Sequence, residues 1–82
     1  MAFDYRKLKG KIVEKYGTQT QFARALGISN RTLSLKLNNK IYFKQDEIRK
    51  CSNLLNINLN EIQIYFFTEK VQDFELKNKE VS

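Results

Sequence analysis

The sequence predicts an all-α domain of five short helices, and three observations predict it. Apolar residues recur at helical spacing through residues 1–66, with no alternating strand pattern. Start and stop residues punctuate that spacing often enough to fit five helices before about Phe66. The 82 residues are 41% hydrophobic and include six Phe, four Tyr and no proline, which suits one small core and no more.

Each element has its own local cause. Tyr5, Leu8, Ile12 and Tyr16 follow 3-4-4 steps, and Asp4 ahead of them is a suitable N-cap, so a first helix is expected from about Tyr5 to Tyr16. Gly17 is placed to end it in a left-handed conformation, and Thr18 with Gln21 forms a T-x-x-Q capping box for a second helix from about Gln19 to Leu26. Gly27 stops that helix, and Ser29 caps a third running to about Leu37, before the turn-prone pair Asn38-Asn39. Asp46 and Glu47 suit the positive end of a fourth helix whose inner face carries Ile48, Cys51, Ser52 and Leu55. Asn58 with Glu61 caps a last helix.

Past Phe67 the pattern weakens. In TEKVQDFELKNKEVS, Val71 and Phe74 would share a helix face, whereas Phe74 and Leu76 would share a strand face. The expected division is therefore a domain at residues 1–67 and a C-terminal tail at 68–82, partly disordered or contributing to dimerisation.

Composition excludes several function classes. There is no His, one Cys (Cys51) and no glycine-rich phosphate loop among three glycines. That removes the commonest general base, an internal disulfide and a Cys/His metal site, so neither an enzyme nor a metal or other cofactor is expected. No apolar run approaches the length of a membrane span, and the charged opening MAFDYRKLKG lacks the pattern of a secretory signal, so a cytoplasmic location is the expectation. Residues 1–50 hold 12 Lys/Arg against 4 Asp/Glu, while residues 51–82 hold 3 against 5. A basic region on a small domain suits a polyanionic partner.

Two short helices joined by a tight turn containing glycine make a helix-turn-helix. Ala23 is small where the third helix must cross the second, and Gly27 occupies the turn where positive φ is needed. Phe22, Leu26, Ile28, Leu33 and Leu37 form the apolar faces. Asn30, Arg31, Ser34, Leu35 and Lys36 are expected to stay exposed on the third helix, and its N-terminal end is the end that enters a major groove in DNA readers. Arg and Asn can pair bidentately with guanine and adenine, and Leu35 can meet a thymine methyl.

The run Gln19, Phe22-Ala23, Leu26-Gly27-Ile28-Ser29, Thr32-Leu33-Ser34 and Leu37-Asn38 resembles the helix-turn-helix of the Cro/CI class of phage repressors. The flanking frame, FDYRKLKGKIVEKYGTQ before it and LNNK through LLNINLNEIQIYFF after it, looks like the small Cro-like regulators of phages and prophages of Gram-positive bacteria, over residues 3 to 71. The resemblance implies a lambda-repressor-like domain that binds a palindromic double-stranded DNA operator as a homodimer and regulates transcription. It places a recognition helix at about 29–38, with Asn30, Arg31, Ser34 and Leu35 reading bases. Gln19 would contact a phosphate and brace Asn30, and Lys36 departs from the apolar residue usual at its place, which suggests a phosphate contact. Arg24, Asn39, Lys40 and Lys44 are the further phosphate candidates, whereas Lys7, Lys9, Lys11 and Lys15 read as a solvated face.

One recognition helix reads few base pairs, so two copies are expected. Tyr65, Phe66, Phe67, Val71 and Phe74 hold more apolar area than a short last helix needs and are the dimerisation candidates, with at least one of Phe66 and Phe67 expected to close the monomer core instead. The alternative from another class is an antirepressor or modulator whose helix-turn-helix domain docks on a partner repressor. A toxin-neutralising antitoxin is a lesser alternative, because the tail is short for that role. A polar, basic recognition surface favours DNA, whereas a partner-binding module is expected to show an exposed apolar stripe on that surface and little salt dependence of binding.

Overall fold

The computed structural model describes residues 2–70. Its helices are α1 (Arg6–Tyr16), α2 (Gln19–Leu26), α3 (Asn30–Leu37), α4 (Gln45–Leu55) and α5 (Ile62–Phe66), the last entered through a 3-10 turn at Leu59–Glu61. Among the described residues there is no strand, only a lone antiparallel bridge between Phe3 and Glu69. The chain is all-α, as its apolar spacing predicts.

Most helix ends follow the expected chemistry, although Gly17 ends α1 at φ 81°, ψ −44°, outside the left-handed well. Thr18 Oγ1 accepts from the Gln21 N–H at 3.1 Å, and Ser29 Oγ accepts from the Thr32 N–H at 3.0 Å, so α2 and α3 each satisfy one otherwise unpaired donor. Gly27 ends α2 at φ 88°, ψ 21°, inside the left-handed well, and its N–H donates to Ala23 O at 2.9 Å. Asp4 stands one place ahead of the N-cap position of α1, which Tyr5 holds without a side-chain bond of its own. Asp4 accepts from the guanidinium of Arg6 at 2.8 Å and from its backbone N–H at 3.0 Å. These bonds hold the Asp4 carboxyl down at about 2.

Phe22, Phe66, Leu8, Ile12, Leu33, Leu55 and Cys51 are fully buried. α2 packs against α1, α3 and α4, so it is the central element and needs Ala23, 1% exposed, where its neighbours press close. Burial, and secondarily the Glu47 charge, pushes the Cys51 thiol up to about 12. Ser52 is also buried, and its hydroxyl donates to Ile48 O at 2.8 Å, which removes the cost of an unpaired polar group.

The two ends of the described chain are fastened to each other. Asp4 N–H donates to Thr68 O at 2.7 Å and Lys70 N–H to Ala2 O at 3.0 Å. A series of tilted and edge-to-face rings runs from Phe66 to Phe43 (5.4 Å), on to Tyr5 (5.5 Å), then Phe3 (6.2 Å) and Phe67 (5.7 Å). Such pairs add about 0.5–1.5 kcal/mol each beyond area burial.

Phe66 is therefore a core residue, 1% exposed against Phe43, and is corrected from a dimerisation residue to part of the monomer's own interior. Tyr65 is half-buried and packs on the core, whereas Phe67 is 45% exposed beside Phe3. Val71 and Phe74 lie outside the described residues.

Candidate functional site

The surface around α3 is built by its cap, its turn and one buried cation. Ser29 starts the helix, so Asn30 and Arg31 stand exposed in its first turn, with Ser34 and Leu35 half-buried one turn on. Gln19 Nε2 donates to Asn30 Oδ1 at 3.4 Å, which brings together the two residues expected to brace each other. Asn38 Nδ2 donates to Ser34 O at 2.8 Å and reaches Ser34 Oγ at 3.3 Å, so the end of α3 is closed by its own side chain. Arg24 on α2, and Lys40 and Lys44 in the connection from α3 to α4, are exposed.

Two of the residues expected to meet phosphates are engaged within the fold. Lys36 is 3% exposed: its ammonium donates to Glu47 Oε1 at 2.8 Å and to Tyr42 O at 2.9 Å, and lies 5.8 Å from the Phe43 ring centre. It is no ligand for an external anion, because its charge already has a carboxylate inside the fold. Burial favours the neutral form of Glu47, but hydrogen bonds from Lys36 and from the Lys44 N–H, at 2.8 Å, outweigh it and hold the carboxyl below its usual value. Asn39 is likewise engaged, accepting from Phe3 N–H at 2.8 Å and donating to Phe3 O at 2.9 Å. Its side chain is a clamp on the N-terminal segment.

The structure also exposes apolar residues that helical spacing does not single out. Ile41 and Tyr42, in the connection from α3 to α4, are 41% and 73% exposed. Across α4 and the 3-10 turn, Ile48, Ile57, Leu59, Ile62 and Phe67 line a groove of about 390 Å³ with Arg49 at its rim. The signal for the first pair is present in the sequence: NNKIYFKQ sets two apolar residues in a polar connection, with only Phe43 needed inside. Among the described residues no group of His, Cys, Asp or Glu is placed to hold a metal, and no helix is long and apolar enough to cross a membrane.

Residues 1–69 match the model of a family described as "Protein of unknown function (DUF739)". Among solved structures, the chain is similar to the solution structure of the modulator of repression (MOR) of the temperate bacteriophage TP901-1 from Lactococcus lactis. The identity is 53%, the match covers 88% of this chain and 97% of that one, and the TM-score is 0.74. No curated protein matches. The likeness to a modulator of repression overturns the expectation of a Cro-like repressor reading its own operator and favours the alternative, a modulator acting on a repressor. The tip of α3 is polar and basic, as in a helix that reads a major groove, which is why the residues alone point to an operator.

Proposed function

We propose a modulator of phage repression that works by protein–protein contact, and the premise is kinship: the chain belongs to the family described as "Protein of unknown function (DUF739)". The observation that carries this reading is the similarity, across most of both chains, to a modulator of repression. The partner is a phage repressor, and the contact surface is the one around α3. Arg31 offers a planar fork for a carboxylate, and Asn30 offers paired donor and acceptor groups; neither is spent on the core. Arg24, Lys40 and Lys44 make the surroundings positive, which would hasten encounter with an acidic face. A chain of this kind changes repression by occupying the repressor and altering its hold on DNA.

The test uses the purified full chain, the repressor encoded in the same genome and that repressor's labelled operator. A stable complex of chain and repressor is expected by size-exclusion chromatography, together with a changed operator occupancy when the chain is added. A chain that ignores the repressor yet binds the operator alone with sequence preference would overturn the reading.

A further inference from the structure

Tyr42 is the most exposed aromatic residue among the exposed large apolar side chains, at 73%, with Ile41 beside it at 41%. A single exposed apolar side chain is ordinary, but an adjacent pair on an immobilised backbone is not. The backbone beneath this pair is held from three directions. Lys36 donates to the Tyr42 carbonyl at 2.9 Å, the Lys40 N–H donates to Leu35 O at 2.8 Å, and the Phe43 ring is wedged between Tyr5 and Phe66 at 5.5 and 5.4 Å. Burying the Lys36 ammonium costs desolvation, and what that cation fastens, besides Glu47, is the carbonyl of an outward-facing tyrosine.

We infer that Ile41 and Tyr42 form a preorganised anchor that enters an apolar pocket with an acidic rim on the partner repressor. The inference rests on the modulator reading and names the part of its surface that contributes most to affinity. Three features define the occupant. A tyrosine held in place loses little freedom on binding and buries a large flat area, which suits it to the centre of an interface. Lys40 and Lys44, both exposed, flank the pair, so carboxylates at the pocket's rim complete the match. The Lys40 N–H bond to Leu35 O makes the pair continuous with the α3 surface, so one partner can cover both.

Calorimetric titration of the full chain with the purified repressor from the same genome tests the anchor. Tyr42→Ala is expected to weaken binding at least about 30-fold, the factor that separates hot spots from bystanders, with little change in melting temperature because most of the residue is exposed. Tyr42→Phe is expected to bind within a few fold of the natural chain. Val13→Ala removes another exposed apolar side chain, on α1, and is expected to leave binding unchanged. If the natural chain binds and Tyr42→Ala binds equally well, the anchor is refuted while the modulator reading stands. If the natural chain fails to bind the repressor at all, the modulator reading falls, and the anchor with it.

Discussion

Lys36 is the residue whose role composition conceals most. A lysine on a helix surface is ordinarily solvated, yet here the side chain turns inward and joins α3 to the first turn of α4 through Glu47. Removing one partner of a buried pair leaves the other charge stranded, and such losses run to about 3–5 kcal/mol, lower where solvent can reach. Glu47 keeps 18% of its side chain exposed and Lys36 only 4%, so the asymmetry decides the order of effects. Glu47→Gln, which strands the ammonium, is expected to destabilise more than Lys36→Met, which leaves a carboxylate that water and the Lys44 N–H still serve. The double variant is expected to recover much of the loss, and urea unfolding of all four proteins checks this. The pH dependence has a definite sign. The Glu47 carboxyl lies below its ordinary value of 4.5 in the folded chain, so its contribution is complete above that value and is lost as pH falls through the lower folded one. The stability difference between the natural chain and Glu47→Gln is therefore expected to shrink between neutral pH and the region below 4.5.

At the scale of elements, the turn between α2 and α3 depends on glycine for conformation and not for room. A Cβ added at Gly27 would meet Lys50 Nζ at 3.6 Å, an ordinary contact, but φ is +88°. Gly27→Ala is expected to cost about 1–2 kcal/mol for the left-handed backbone. Gly10 sits inside α1, where an added methyl would meet nothing within 4 Å, so Gly10→Ala is expected to stabilise by about 0.5–1 kcal/mol. Thermal melts of the two variants moving in opposite directions check both. The same locality explains how far the sequence can be read. Helix ends set by Thr18, Gly27 and Ser29 are legible because their causes lie within a few residues. Lys36 and Asn39 mislead because their partners, Glu47 and Phe3, lie 11 and 36 residues away, and only the packed chain brings them together. Tyr42 escapes notice for a different reason: standing 73% exposed in the connection after α3, it belongs to no helix face and leaves no periodicity.

Across the described residues, stability of the surface around α3 depends on how the N-terminal segment is tied to residues 68–70. Asn39 stands at φ +63° shortly after α3, and its amide both accepts from and donates to the backbone of Phe3. Phe3 in turn packs edge-on against Phe67 and pairs with Glu69, so one side chain couples the α3 surface, the N-terminal segment and residues 68–70. Two contributions are separable by substitution. Asn39→Gly removes the two hydrogen bonds but relaxes the left-handed backbone, whereas Asn39→Ala removes the bonds and adds conformational cost of about 1 kcal/mol. Each lost bond is worth about 0.5–1.5 kcal/mol, so the alanine variant is expected to lose about 2–4 kcal/mol and the glycine variant less. Hydrogen exchange discriminates a clamp from a general weakening. If Asn39 is the tie, protection at the amides of Phe3, Asp4 and Lys70 is expected to collapse in both variants while the α2 and α4 amides keep theirs. Uniform loss across all helices would mean that these segments and the core unfold together, and that Asn39 supports the fold as a whole and not the tie between the N-terminal segment and residues 68–70.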